Sequence, residues 1–176
     1  MINANPLSSS RIKLRRVTIM EEGVTTVGSQ GRLASWSEHH PLRILVVDDY
    51  PDNADSLGLL LALYGYQVET ALSGCAALAK ARMTKPDVAI LDISMPVMDG
   101  CEVARQLRKM YHDEIILIAM TANGSQEDRR KSHEAGFNMH LVKPADPQKL
   151  EGILKSLAAQ LEEMTSAARL PETTSR

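Results

Sequence analysis

The stretch VAILDISMPVMDG, Val88 to Gly100, decides how the chain is read. Val88, Ala89, Ile90 and Leu91 form an apolar run without polar alternation, the pattern of a strand buried on both faces. The run stops at Asp92, and Asp99-Gly100 further on is turn chemistry. Strands covered on both faces belong to parallel α/β sheets, in which every strand C-terminus lies on one edge.

The same texture recurs on either side. Upstream, Leu42–Val47 is an apolar run ending in Asp48-Asp49. Pro51 suits the first turn of a helix, and Leu57, Leu60, Leu61 and Tyr64 follow at i, i+3, i+4 and i+7 until Gly65 ends it. Tyr66–Thr70 reads as a short strand and Ser73–Met83 as a small-residue helix closed off by Pro86. Downstream, Val103, Leu107 and Met110 mark a third helix, and Ile115–Met120 a strand ending in Thr121. Ser125–Ala135 is predicted to be a helix capped by Gly136. Met139–Val142 is a fifth strand ending at Lys143-Pro144, and residues 147–165 a long last helix. Five strands alternating with five helices predict an α/β domain, a doubly wound parallel sheet with right-handed crossovers and helices on both faces.

Composition bounds the function. A chain of 176 residues accommodates one domain plus tails, and 44% hydrophobic with 24% charged residues is a soluble globular profile. A net charge of −2 gives no basic excess for nucleic acid, and one Trp, four Tyr and one Phe cannot form a base-stacking platform. The core is therefore expected to be built from Leu, Ile, Val, Ala and the nine Met. Cys75 and Cys101 are not spaced as metal ligands and read as reduced thiols. No apolar run approaches the length of about 20 residues that a membrane helix needs. Arg11, Lys13, Arg15 and Arg16 interrupt any signal-like segment. These features predict a cytoplasmic protein that engages neither nucleic acid nor membrane.

Residues 1–40 carry five basic and three acidic side chains without sustained period, and read as a flexible leader or linker. Residues 1–20, with four basic residues and no acid, have the composition of a transit peptide or a nucleic-acid-binding arm, and translation from Met20 is a further reading. The domain is expected over residues 41–160, with 161–176 a helix extension and disordered tail.

The polar residues that end the strands converge on one edge: Asp48, Asp49, Asp92, Thr121 and Lys143. Three carboxylates together repel one another and call for a cation. An all-oxygen set without His or Cys suits a hard ion, Mg²⁺. Turning one carboxylate into an acyl phosphate replaces a charge of −1 with roughly −2, met by the metal, Lys143 and the Thr121 hydroxyl. Such a site accepts a phosphoryl group on an aspartate and registers the change electrostatically.

In these residues, Asp48-Asp49, Asp92 through Gly100, Thr121-Ala122 and Lys143-Pro144, the chain resembles the receiver domain of two-component response regulators over about residues 42–160. The resemblance implies a flavodoxin-like sheet of order 2-1-3-4-5, with Asp92 as phosphoacceptor. It implies that Mg²⁺ is held directly by Asp49, largely through water by Asp48, and by the Ser94 backbone carbonyl, with Asp92 also among the metal residues. Lys143 would pair with the carboxylate or phosphate, the bond to Pro144 being cis. Thr121 and the Ala122 backbone would bind the phosphoryl group, and Asn123 and Ser94 would influence its lifetime. The donor would be a phosphohistidine on a histidine kinase or phosphotransfer protein, and the output a downstream protein target meeting helix 4, strand 5 and helix 5.

The chain departs from that pattern at His140, where the family usually carries Tyr or Phe. A polar, pH-sensitive switch residue and an ordinary surface His are both compatible with the sequence. The fourth helix has almost no apolar anchor and rests on Ser132 and Ala135, so it is expected to move at low cost. In the last helix Leu150, Leu154, Leu157, Leu161 and Met164 follow heptad spacing; Leu150 to Leu157 are expected in the core, with Leu161 and Met164 a candidate contact for a homodimer or a partner helix, or a frayed tail after Gln160.

Only 33 residues follow Lys143, which points to a stand-alone receiver rather than one with a DNA-binding domain. The alternative is the receiver fragment of a hybrid sensor kinase, with residues 1–40 a linker remnant. The chain is not expected to be an enzyme beyond slow loss of its own phosphate. An aspartyl-phosphate hydrolase of the haloacid-dehalogenase type would place an acid two residues after its nucleophile, where this chain has Ser94.

Overall fold

The computed structural model describes residues 41–167 apart from Asn123, with side chains as far as Leu161. The expected leader 1–40, its alternative start Met20, the tail beyond Ala167 and the side chain of Met164 lie outside the described residues. The elements are β1 (Arg43–Val47), α1 (Pro51–Leu63), β2 (Gln67–Ala71), α2 (Gly74–Thr84) and β3 (Val88–Asp92). They continue with α3 (Gly100–Tyr111), a 3-10 turn (His112–Glu114), β4 (Ile116–Thr121), α4 (Gln126–Ala135), β5 (Met139–Val142) and α5 (Pro147–Ala167). All strand pairs are parallel and the order is β2-β1-β3-β4-β5, as expected.

Alternate residues of the strands feed two separate cores. Leu45, Val47, Ala89, Leu91, Leu117 and Ala119 face α2 and α3. Ile44, Val46, Val88, Ile90, Ile116 and Ile118 face α1 and α5. Each central strand is thus apolar throughout because both its faces are covered. The core is aliphatic, but methionine contributes less than expected. Met95 is buried, Met98, Met110, Met120 and Met139 pack only at the edges, and Met83 is 84% exposed. Branched and small residues already fill the layers beside the sheet, leaving the flexible methionines at the margins.

Local chemistry sets the helix ends. Pro51 opens α1. The side chains of Ser73, Asp99 and Ser125 accept hydrogen bonds from the N–H groups of Ala76, Glu102 and Asp128. Gly136, at φ 96°, closes α4 in the left-handed region that favours glycine. The pair Asp99-Gly100 is accordingly a helix start as well as a turn. At the other end, Leu161 packs, partly buried, against the α1/α5 core. Cys75 and Cys101 are both free thiols, the first exposed and the second buried.

Candidate functional site

β1 stands between β2 and β3, so the chain reverses its winding there and the strand ends on either side of the reversal leave a crevice. Asp48 leaves β1 and Asp92 ends β3, each 6% exposed. Together with half-buried Asp49 they place one carboxylate oxygen apiece within 4.8 Å of one another. Thr121, 5% exposed, ends β4 beside them. A cleft of about 490 Å³ opens onto Asp48, Asn53, Asp92, Ala122, Lys143 and Pro144.

Lys143 reaches the acids from the end of β5. Its Nζ lies 2.6 Å from Asp48 Oδ2 and 3.2 Å from Asp92 Oδ1. Burial alone pulls the ammonium pKa down, but the hydrogen bond to Asp48 and the charge and hydrogen bond of Asp92 outweigh it. The lysine is held above its ordinary value and stays charged. Asp48 also accepts the Tyr50 N–H at 3.0 Å, and the Asn53 amide at 3.3 and 3.4 Å. Asp92 Oδ1 takes a long bond, 3.4 Å, from the Ser94 N–H.

Asp49 differs from its neighbours. Its Oδ1 is buried and has no hydrogen-bond partner among the described residues. A buried carboxylate oxygen left unmatched is costly unless a cation meets it. Three carboxylates with no nitrogen or sulfur donor match a hard divalent ion that keeps several waters. The site therefore fits Mg²⁺, and Asp48, Asp49 and Asp92 are the residues that would hold it.

The strand-end residues expected from the sequence meet here. Ala122 is exposed on the rim of the cleft, Ser94 is exposed in the loop after Asp92, and the Lys143-Pro144 bond is cis. Asn123 lies outside the described residues. His140 stands apart: it is on β5, half-buried, with Nδ1 3.2 Å from the Ser132 hydroxyl of α4.

Two residues escaped sequence reasoning. Asn53 braces Asp48 from the first turn of α1, five residues on, a contact that nothing in local composition announces. Gly100 lies so close beneath β3 that a Cβ there would overlap the Asp92 carbonyl oxygen. Its signal was the Gly after Asp99, legible as a turn but not as a close approach to the phosphoacceptor candidate. Between them Val97 sits at φ 68°, an uncommon conformation for a β-branched residue, with its side chain fully exposed.

Comparison with known proteins agrees with this geometry. The family model described as response regulator receiver domain matches residues 44–155. The transcriptional regulatory protein PrrA of Mycobacterium leprae is 43% identical over 115 residues, 65% of this chain and 49% of its own length. Response regulator MprA of a Mycobacterium species is 38% identical, covering 66% of this chain and 50% of its own. The chain thus spans about half the length of these curated relatives. Among solved structures, the chemotaxis protein CheY4 of Vibrio cholerae superposes with a TM-score of 0.64 at 33% identity, covering 67% of this chain and 99% of that one. The receiver domain of a signal transduction histidine kinase from Syntrophus aciditrophicus gives 0.63 at 30%, covering 76% and 98%. With the strand order, the acidic crevice and the lysine that bridges it, these matches mean that the chain belongs to the response regulator receiver domain family.

Proposed function

We propose that the chain accepts a phosphoryl group on Asp92 from a phosphohistidine of a partner histidine kinase or phosphotransfer protein. The observation that carries this reading is the placing of Asp92. It is buried at a strand end, shares Lys143 with Asp48, and lies beside an unmatched oxygen of Asp49. An Asp92 carboxylate oxygen attacks phosphorus in line, forming the acyl phosphate as the N–P bond breaks and the imidazole departs. Bound Mg²⁺ would neutralise charge on the transferring oxygens. Lys143 moves part of its charge from the carboxylates to the phosphoryl oxygens. The Thr121 hydroxyl and the Ala122 backbone bind the group, and His140 and α4 report it. The chain takes the phosphoryl group on itself and turns over no separate substrate.

The output is proposed to be a protein contact through α4, β5 and α5, in the cytoplasm. No helix among the described residues is long and apolar enough to cross a membrane. The expected exclusion of nucleic acid is not carried by the relatives, which are named transcriptional regulators and extend to about twice the matched length. A DNA-binding output, in a longer protein or on a partner, is compatible with them. Membership of a hybrid kinase is the second reading, favoured by the likeness to the histidine-kinase receiver domain.

Acetyl phosphate with Mg²⁺ tests the chemistry. The wild-type chain is expected to gain one acid-stable, base-labile phosphoryl group and Asp92→Asn none. Equal labelling of both would overturn the assignment.

A further inference from the structure

We propose that the hydrogen bond between His140 and Ser132 is the tether by which β5 holds α4, and that phosphorylation reaches the output helix by making or breaking it. The inference rests on the reading of Asp92 given above and concerns how that event leaves the site.

Little buried surface holds α4. Only Ser132 and Ala135 of its ten residues are buried. The helix surface is otherwise charged, and the ion pairs of Arg130 with Glu127 and Glu134 and of Lys131 with Glu127 run within the helix. These pairs stiffen α4 without fixing it to the domain. Ser132 is 2% exposed. Its hydroxyl donates to the Arg129 carbonyl at 3.0 Å, and its oxygen lies 3.2 Å from His140 Nδ1. With the hydroxyl hydrogen committed to its own helix, the imidazole is the donor and Nδ1 carries the hydrogen. An apolar anchor tolerates sliding, whereas a hydrogen bond is lost over a small displacement and so marks one position of the helix. A Phe ring at position 140 would offer Ser132 no such donor.

The C-terminal end of α4 is fixed independently. The Gly136 carbonyl accepts from Arg108 Nε at 2.9 Å, and Phe137 is buried. Residues 126–131 have no buried side chain. The helix is thus a lever pivoted at Gly136, and Ser132 is its tether nearest the free arm. The strand side connects to the site. The Lys143 N–H donates to the Thr121 carbonyl at 2.8 Å, and His140 pairs in register with Ala119, two residues before Thr121. A shift of Thr121 and Lys143 toward a phosphoryl group therefore displaces the strand that carries His140. The proposed tether thus joins the strand that leaves the site to the free arm of α4, so that a displacement of one biases the other.

Amide hydrogen exchange across α4 tests the tether in the wild-type chain, Ser132→Ala, His140→Phe, the double variant and His140→Asn, whose side-chain amide keeps a donor near Nδ1. Without phosphoryl analogue, residues 126–133 are expected to exchange about fivefold faster in each single variant, the loss of one ordinary hydrogen bond. The double variant should be no faster than either single one, and His140→Asn should stay close to wild type. With Mg²⁺ and beryllofluoride, the exchange of α4 should change in the wild type and hardly at all in Ser132→Ala or His140→Phe. Equal exchange in all five proteins, or additive effects in the double variant, would overturn the tether. Should Ser132→Ala fail to fold, His140→Phe probes the same bond from the strand. A wild-type chain that takes no label from acetyl phosphate would defeat the reading of Asp92 instead, and the exchange measured without analogue would still decide the tether.

Discussion

Lys143 Nζ lies closer to Asp48 than to Asp92, 2.6 Å against 3.2 Å, so the ammonium neutralises two buried acids from adjacent strands at once. Removing it leaves both carboxylates in a low-polarity crevice without a cation. Lys143→Met is expected to lower the unfolding free energy by about 2–4 kcal/mol in metal-free buffer. Mg²⁺ should restore a larger share of stability in the variant than it adds to the wild type. Urea unfolding with and without the ion checks both statements, and an unchanged metal-free midpoint would mean that solvent already screens the pair.

Asp49 sets the opposite expectation. Its Oδ1 is buried without a hydrogen bond, and it adds negative charge beside Asp48 and Asp92. Asp49→Asn should therefore leave metal-free stability unchanged or raise it by up to about 1 kcal/mol. The same substitution should weaken Mg²⁺ binding at least tenfold. Calorimetric titration of the ion beside thermal unfolding separates the two effects. A large loss of metal-free stability would mean that Asp49 serves the fold rather than the ion.

How much of this was legible in the sequence follows from the range of the interactions. The strands were readable to within a residue or so because both faces of Leu45–Val47, Ala89–Leu91 and Leu117–Ala119 are covered, which leaves unbroken apolar runs. The site was readable because a parallel sheet carries every strand end to one edge, so Asp48, Asp92 and Lys143 needed only their places in the pattern. The preference of Lys143 for Asp48, the brace from Asn53 and the fit of Gly100 under Asp92 depend on where helices and loops come to rest. No local pattern encodes that. The methionines misled for a related reason: composition counts apolar residues but not which layer holds them.

The Lys143 pKa gives a pH dependence of known sign. Its folded value is raised, so the folded state holds the proton more tightly than the unfolded chain, whose lysines titrate near about 10.4. The stabilisation is fully present below that value and is lost as pH rises through the folded pKa. As pH rises above about 10.4 the wild type should lose stability that Lys143→Met never had, so their urea midpoints should converge. Lys155, whose raised pKa comes from its exposed pair with Glu151, is common to both proteins and cancels in the comparison. Midpoints that stay parallel throughout would contradict the coupling.

Gly100 bears on catalysis through the backbone. A methyl group there would meet the Asp92 carbonyl and the Ile93 Cα, neither of which can swing aside as a side chain does. Gly100→Ala should cost about 1–3 kcal/mol of stability, as overpacking does. It should also slow labelling of Asp92 by acetyl phosphate, because the strain falls on the phosphoacceptor's own peptide group. Unfolding and labelling rates measured on one preparation test this. Loss of stability with an unchanged labelling rate would place the strain in α3 instead.

Arg108 offers the sharpest test of the fixed end of α4. Its guanidinium donates to the carbonyls of Gly136, His112 and Ile115 and to the Asn138 side chain, which in turn accepts the Leu117 N–H. Burial pushes its pKa down, with a smaller Coulombic offset from Asp113, and its hydrogen bonds go to neutral acceptors rather than to a carboxylate. Arg108→Ala removes these donors together and leaves the part-buried carbonyls of Gly136 and Ile115 without them. The expected cost is about 2–4 kcal/mol. Arg108→Lys should recover little, since one ammonium cannot span the fork that joins α3, β4 and the end of α4. Hydrogen exchange should then rise at residues 136–138, which stay protected in Ser132→Ala. If both substitutions loosen the same residues equally, the helix has no separate pivot.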